Sequence, residues 1–247
     1  MERIKGKIKA IIFDMDGTII DTEHLWQKVN EAMFLKRGIV LDQEELNHLF
    51  SKFSGAGLEN TISAIKKELN INEPTEDLIQ EAKDLAKKIF ENGIQFIEGF
   101  VEFHEKLRQH SIPSSIATNC DKETLESLKL KIGFHKFFGN HIYSIDHIGG
   151  IAKPNPAIFL HAAKKLNVEP HECIVFEDSV PGFHAAEAAG MKCIAIKNLL
   201  NKDFLHKVYE AIDSYHEAEE ALSKILEKET PTDKPSMHEQ QNESTSN

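Results

Sequence analysis

The chain has 247 residues, enough for one large domain or two unequal ones, and its 40% hydrophobic and 28% charged residues are typical of a globular protein. Forty acidic residues against 29 basic ones give a net charge of −11, which disfavours nucleic acid and anionic membranes as partners. An anionic substrate would need local positive charge, from a metal ion or a placed lysine. Three scattered cysteines and the lack of a visible export or membrane segment predict a cytoplasmic protein. The oligomeric state is left open.

The first part of the chain changes from a strand to a run of helices. Residues 8–13 are an apolar run, ended by acids and a glycine, that predicts a buried strand. Apolar residues then recur at helical spacing over residues 22–94, with no convincing strand among them. This stretch predicts a small helical module.

After Gly99 the pattern alternates between strands and helices. The predicted strands lie at 114–118, 141–143, 173–176 and 192–196, and the predicted helices between and beyond them at 100–109, 121–133, 156–166, 181–189, 202–211 and 214–226. Such alternation is typical of βαβ units. It predicts an α/β fold with a doubly wound parallel sheet, to which the first strand also belongs.

The two patterns predict how the chain is divided. Residues 1–20 and 95–227 form the Rossmann-like α/β core, and residues 21–94 form an inserted all-helical domain. Residues 228–247 contain no aromatic residue and almost nothing apolar, so we expect a disordered polar tail.

Polar side chains follow several predicted strands, where doubly wound sheets bind their ligands. They are Asp14 and Asp16 after the first strand, Thr118 and Asn119 at the end of the strand 114–118, Lys153 in a proline-stiffened turn, and Glu177 and Asp178 after the strand 173–176. Carboxylates from two strand ends can supply the oxygen ligands that Mg²⁺ prefers. A hydroxyl, an amide and a lysine suit the oxygens of a phosphate. The combination predicts a phosphate-and-magnesium site.

Three of these motifs also have a purely structural interpretation. Two acids and a glycine are common in turns, paired acids are favoured where a helix begins, and a lysine before proline is usually on the surface. Four such motifs at strand ends, in this order, favour a functional site over four independent coincidences.

The same motifs resemble those of the haloacid dehalogenase-like hydrolases. The matching segments are residues 14–18, 118–119, 153–154 and 177–179, and the resemblance extends over about residues 8–197. The helical insertion resembles the first type of cap in that family. Asp21-Thr22-Glu23 and the stretches 153–168 and 176–191 resemble the branch that contains β-phosphoglucomutase and sugar-phosphate phosphatases.

The resemblance implies covalent phosphoryl transfer. Asp14 would attack phosphorus and form an aspartyl-phosphate, while Asp16 would protonate the leaving group and later activate water. The resemblance assigns Thr118, Asn119 and Lys153 to the phosphoryl oxygens, and it implies that the cap closes over the reaction.

The resemblance also implies that Mg²⁺ is the cofactor. The implied ligands are the Asp14 carboxylate, the Asp16 carbonyl and Asp178, with Glu177 binding directly or through water.

Several functions compete for this site. The leading one is a magnesium-dependent phosphatase of small phosphorylated metabolites, with sugar or polyol phosphates as the expected substrates. A phosphomutase of the β-phosphoglucomutase type must hold a second phosphate, which arginine does best, and the loop 51–60 offers only Lys52. A dehalogenase has no use for Asp16 or the acid pair. A non-catalytic receiver-like module would not carry its acceptor aspartate after the first strand.

Three other features receive structural interpretations. Residues 55–60 begin like a dinucleotide-binding loop, but Asn60 breaks the pattern, and the resemblance makes this the loop that sets substrate specificity. Trp26 is predicted to pack in the core of the cap, with a pocket wall as the alternative. Cys120 is predicted to be a packing residue because no nearby base would activate it.

Overall fold

The computed structural model describes residues 6–51, 57–90 and 93–229. The strands of these residues are β1 (Ala10–Phe13), β2 (Ile20–Asp21), β3 (Gln95–Phe96), β4 (Ser114–Thr118), β5 (Ile142–Ser144), β6 (Cys173–Glu177), β7 (Lys192–Ile196) and β8 (Glu210–Ile212). The α-helices are α1 (Glu23–Lys36), α2 (Gln43–Ser51), α3 (Leu58–Glu68), α4 (Thr75–Phe90), α5 (Phe100–Gln109), α6 (Lys122–Leu128), α7 (His135–Phe138), α8 (Ala157–Leu166), α9 (Val180–Ala188) and α10 (Ala218–Glu229).

Six of the strands form one parallel sheet in the order β5-β4-β1-β6-β7-β8. The short strand β1 lies near the middle, paired with β4 on one side and β6 on the other. All four residues of β1 are buried, since helices cover both faces of a parallel sheet. The predicted α/β fold with a parallel sheet is confirmed.

Alternate residues of β1 point into two separate hydrophobic clusters. Ile11 and Phe13 face the side of α5 and α10, where the Phe13 ring stacks on Phe176 with 5.3 Å between the ring centres. Ile12 faces the side of α8 and α9, whose inner surfaces are rich in alanine and phenylalanine. The period of two along the strand therefore builds both cores.

The helices α1 to α4 lie between two short strands that the sequence did not predict. β2 and β3 pair antiparallel, with Ile20 opposite Phe96 and Asp21 opposite Gln95. Two residues are too few to show a periodicity. Helices α1 and α4 pack together through apolar residues on one face of each, such as Val29 and Leu78. The assignment of this insertion as a separate domain stays a prediction.

The C-terminal part corrects one element of the prediction. Residues 202–211 were expected to be a helix, but they form a short 3₁₀-helix, Lys202–Lys207, followed by strand β8. Hydrogen bonding to the edge of β7 and burial of Ile212 favour the strand over the helix.

Smaller differences concern helix ends. The helix expected at 121–133 becomes π-helical over Lys129–Gly133. Helix α10 continues to Glu229, and Lys228 forms an ion pair with Glu210 at 2.6 Å, so the first residues of the expected tail are helical. The rest of that tail, 230–247, lies outside the described residues. None of the described helices is long and apolar enough to cross a membrane.

Candidate active site

The predicted motifs meet because their strands are neighbours in the sheet. The order β4-β1-β6 places Asn119, Asp14 and Glu177 at the carboxyl ends of three adjacent parallel strands. Lys153 lies in the segment between β5 and α8, and its backbone N–H donates to Asn119 Oδ1 at 2.9 Å. Residues far apart in the sequence thus form one group at this edge of the sheet.

Three acids form the centre of this group. Side-chain oxygens of Asp14, Glu177 and Asp178 all lie within 4.8 Å of one another, and all three residues are buried. Gly17 passes so close to this centre, with a φ of +74°, that a Cβ atom there would collide with the Asp178 carboxylate. Buried carboxylates around a tight glycine turn are a donor set that suits a hard divalent cation.

Lys153 supplies positive charge to the acids. Its Nζ lies 2.5 Å from Asp14 Oδ1 and 2.7 Å from Glu177 Oε2, and the residue is only 3% exposed. Burial acts to lower the pKa of Lys153, but the charges of Asp14 and Glu177 outweigh it and raise the pKa. Lys153 therefore stays an ammonium ion in contact with two of the three acids.

Asp14 does not ionise easily without a further cation. Its burial, and then the charge of Glu177, raise its pKa from an ordinary value of 3.8 to about 8, although Lys153 opposes the shift. In the metal-free protein near neutral pH, Asp14 therefore tends to hold a proton. A cation bound beside it would favour the ionised form.

Asp16 lies beside this centre in a different environment. Thr22 Oγ1 donates to Asp16 Oδ1 at 2.7 Å, and the Trp26 side chain is a second hydrogen-bond donor to the same carboxylate. Desolvation raises the pKa of Asp16, and the two hydrogen bonds only partly oppose it. Trp26 also packs against the hydrophobic core, which agrees with the predicted packing role.

Glu177 is held rigidly by the residues that follow it. Its Oε1 accepts hydrogen bonds from Ser179 Oγ at 2.8 Å, Ser179 N at 3.1 Å and Asp178 N at 3.2 Å, while Oε2 faces Lys153. Ser179 is also the N-cap of α9, where its Oγ accepts from Gly182 N at 3.2 Å. A Cβ at Gly182 would collide with the Glu177 side chain.

Asp178 is held by residues from other segments. Thr18 Oγ1 donates to Asp178 Oδ1, and Asn198 Nδ2 donates to Asp178 Oδ2, both at 3.2 Å. The carbonyl of Thr18 in turn accepts a hydrogen bond from the buried Tyr215 hydroxyl at 3.0 Å. No sequence motif points to Asn198 or Tyr215, since only the folded chain brings them here.

Two of the residues expected at the phosphate, Thr118 and Asn119, lie at the end of β4. Thr118 is buried and its Oγ1 accepts from Cys120 N at 3.1 Å. Burial, and then the nearby charge of Asp16, raise the pKa of the Cys120 thiol well above its ordinary value, which fits a packing residue. A Cβ at Gly57, just before α3, would lie 3.4 Å from the Asn119 carbonyl oxygen, so the insertion reaches this edge.

Residues 52–56, which include Lys52 and the start of the loop expected to set specificity, lie outside the described residues. The two arginines that the structure describes are occupied elsewhere. Arg37 pairs with Glu81 at 2.7 Å between α1 and α4, and Arg108 lies on the exposed side of α5.

The chain is similar to several known proteins. The chain is 31% identical over 217 residues to the putative phosphatase YhcW of Bacillus subtilis (strain 168), covering 87% of this chain and 96% of the relative. It is 28% identical over 187 residues to the 6-phosphogluconate phosphatase of Escherichia coli (strain K12), covering 76% and 81%. It is also 30% identical over 209 residues to the protein SUPPRESSOR OF QUENCHING 1, chloroplastic, of Arabidopsis thaliana. There the match covers 81% of this chain and spans 19% of the relative's length.

Among solved structures, the HAD hydrolase, family IA, variant 3 from Entamoeba histolytica HM-1:IMSS superposes with a TM-score of 0.75 at 28% identity. The match covers 89% of this chain and 100% of that one. The family model described as haloacid dehalogenase-like hydrolase matches residues 11–196, which include all the motifs at the strand ends. The chain belongs to the haloacid dehalogenase-like hydrolase family.

Proposed function

We propose that this chain is a magnesium-dependent phosphatase that hydrolyses monoesters of phosphoric acid, with small sugar or polyol phosphates as substrates. The observation that carries the proposal is the buried group of Asp14, Glu177 and Asp178 with Lys153 in contact. The class of reaction rests on the family and on relatives named as phosphatases, one of them for 6-phosphogluconate.

Asp14 is the proposed nucleophile. One carboxylate oxygen forms a bond to phosphorus as the ester P–O bond breaks on the opposite side, which leaves an aspartyl-phosphate. Asp14 suits this role because it follows the central strand β1 and is fixed by Lys153. Its raised pKa means that the nucleophilic form depends on nearby positive charge.

Asp16 is the proposed acid and base. It gives its proton to the leaving alkoxide in the first step. In the second step it takes a proton from the water that attacks phosphorus, while the bond from phosphorus to Asp14 breaks and inorganic phosphate leaves. Desolvation raises its pKa, which favours the protonated form that the first step needs. Thr22 and Trp26 orient its carboxyl group.

Mg²⁺ is the proposed cofactor, held by the Asp14 carboxylate, the Asp16 carbonyl and Asp178. Bound there, it would neutralise the acids and polarise the phosphoryl group. Glu177 Oε1 accepts three hydrogen bonds, which occupy its lone pairs, and Oε2 faces the Lys153 ammonium, so contact through water is favoured for this residue over direct ligation. We propose that Thr118, Asn119 and Lys153 hold the phosphoryl oxygens, where negative charge spreads during transfer.

We propose that residues 21–94 act as a cap over this site. Four contacts support this role. Thr22 and Trp26, at the start of the insertion, each form a hydrogen bond with Asp16. Gly57 lies close to the Asn119 carbonyl, and Lys83 Nζ of α4 lies 3.6 Å from Asp121 Oδ1. Closure of a cap would exclude bulk water while the phosphoryl group is transferred.

Phosphate release is proposed in preference to a mutase reaction. A mutase must bind a second phosphate tightly, and arginine does this best because its guanidinium forms bidentate hydrogen bonds with phosphate oxygens. The two described arginines do not offer such a binding site. Arg37 pairs with Glu81 and Arg108 with Glu105, both away from Asp14, Glu177 and Asp178.

The test is release of inorganic phosphate from p-nitrophenyl phosphate and from a panel of sugar and polyol monophosphates, with Mg²⁺ and with EDTA. We expect turnover to require Mg²⁺, to be poor with Ca²⁺, and to vanish in Asp14→Asn but not in Asp203→Asn, an exposed control. Full activity in metal-free buffer, or in Asp14→Asn, would contradict the proposal.

A separate assay distinguishes the mutase. β-Glucose 1-phosphate is incubated with Mg²⁺ and a trace of glucose 1,6-bisphosphate, and both products are measured. We expect free phosphate. Accumulation of glucose 6-phosphate with little free phosphate would identify a mutase instead.

A further inference from the structure

Two asparagines in the loop after β7 hold the residue that carries the third acid. Asn198 Nδ2 donates to Asp178 Oδ2 and to the Asp178 carbonyl, both at 3.2 Å. Asn201 Nδ2 donates to the same carbonyl at 2.7 Å and to the Ile196 carbonyl at 2.8 Å. The side chain and the backbone of Asp178 are therefore both attached to this loop.

The two asparagines also fix each other. Asn198 Oδ1 accepts hydrogen bonds from the backbone N–H groups of Leu200 and Asn201, both at 2.9 Å. Asn201 Oδ1 accepts from the backbone N–H of Asn198 at 3.1 Å. Asn201 is only 1% exposed, and both protons of its amide are used. The loop is thus a closed hydrogen-bonded unit with little freedom to rotate.

The chemistry of these donors differs from that at the other two acids. Asp14 and Glu177 face the charged Lys153, whereas an amide from Asn198 and a hydroxyl from Thr18 approach the two oxygens of Asp178. A neutral donor orients a carboxylate without cancelling its charge.

We propose that Asn198 and Asn201 are positioning residues that aim the Asp178 carboxylate at the metal site; this inference rests on the proposed magnesium-dependent function. Asn198 acts on the carboxylate itself, and Asn201 acts on the backbone that carries it. Loss of an outer partner of a metal-binding group typically weakens metal binding by about 10- to 100-fold.

The test uses the full chain with Asn198→Ser. The serine hydroxyl can still accept a hydrogen bond from the backbone N–H groups of Leu200 and Asn201, but it is too short to donate to Asp178. The control is Asn47→Ser, which removes an exposed hydrogen bond with Gln43 in α2. Mg²⁺ binding is measured by calorimetry, melting temperature is measured in EDTA, and turnover is measured against Mg²⁺ concentration.

For Asn198→Ser we expect about a 10-fold or greater rise in the Mg²⁺ dissociation constant, a melting temperature in EDTA close to that of the wild type, and turnover that recovers at high Mg²⁺. Asn47→Ser should bind Mg²⁺ like the wild type. Equal Mg²⁺ affinity in Asn198→Ser and the wild type, or a lower melting temperature with unchanged affinity, would overturn the positioning role. A wild-type chain that binds no Mg²⁺ would instead contradict the proposed function.

Discussion

Replacing Asp14 by asparagine should abolish turnover and yet stabilise the metal-free protein at high pH. The pKa of Asp14 is raised from 3.8 to about 8, so the folded chain holds a proton that the unfolded chain has released. The contribution of Asp14 to the free energy of unfolding is fully present below pH 3.8, the pKa of this group in the unfolded chain. It is lost as the pH rises through about 8, the pKa in the folded chain. Within that window the loss is about 1.4 kcal/mol per pH unit.

The asparagine variant does not titrate, so its stability relative to the wild type should grow with pH. Between pH 5 and pH 8 the difference should change by about 4 kcal/mol. For a domain of this size that corresponds to roughly 8–16 °C in melting temperature. The amide keeps an oxygen that can accept from Lys153, whose bond to Asp14 Oδ1 is 2.5 Å long.

The assay is thermal unfolding in EDTA at both pH values, with Asp203→Asn as an exposed control that should follow the wild type. Saturating Mg²⁺ should flatten the pH dependence of the wild type, because the cation favours ionised Asp14. A melting-temperature difference between Asp14→Asn and the wild type that is the same at pH 5 and pH 8 would refute the reasoning.

Three further changes test other groups. Asp16→Asn should lower steady-state turnover of p-nitrophenyl phosphate by about 10²–10⁴. A burst of p-nitrophenol should precede the slow phase, because that leaving group needs little proton transfer. Steady release of p-nitrophenol without a burst would argue against an aspartyl-phosphate intermediate. Thr22→Val removes a hydrogen bond that lowers the pKa of Asp16, so the pH–rate profile should shift to higher pH. Burial lowers the pKa of His104 to about 4 from 6.5. The contribution of this histidine to the free energy of unfolding is therefore lost as the pH falls from 6.5 towards 4, and the loss reaches about 2 kcal/mol at pH 5. Between pH 7 and pH 5, His104→Gln should lose less stability than the wild type, measured by urea unfolding against the exposed control His135→Gln.

The parts of the fold that were predictable are those whose signal is local. Strands β4 and β7 were predicted with the bounds they have in the structure, because each is a short run of mostly apolar or small residues between turn signals. The same reasoning located the strand-end motifs, since parallel strands put their carboxyl ends at one edge. Strand β8 was not predictable, because its pairing with β7 outweighs a weak local preference for helix.

The outer part of the site depends on contacts between distant segments. Tyr215 reaches the Thr18 carbonyl across 197 positions of the sequence, and Asn198 reaches Asp178 across 20. A single asparagine or tyrosine in a loop has no periodicity or spacing to mark it. Thr22 had a weak signal, since it follows Asp16 by six residues in a segment that resembles the family, but its hydrogen bond depends on the turn between them.

The electrostatic balance of the site links its stability to its chemistry. Lys153 is in contact with two of the three buried acids, so full ionisation would leave excess negative charge in a region that water reaches poorly. Without a cation, the raised pKa of Asp14 favours its protonated form, which cannot attack phosphorus. Mg²⁺ would remove the need for that proton and make the nucleophile available in the same event. The proposed cofactor and the proposed nucleophile therefore depend on each other through charge. The hydrogen bonds around Glu177 and Asp178 keep the acids close enough for this coupling.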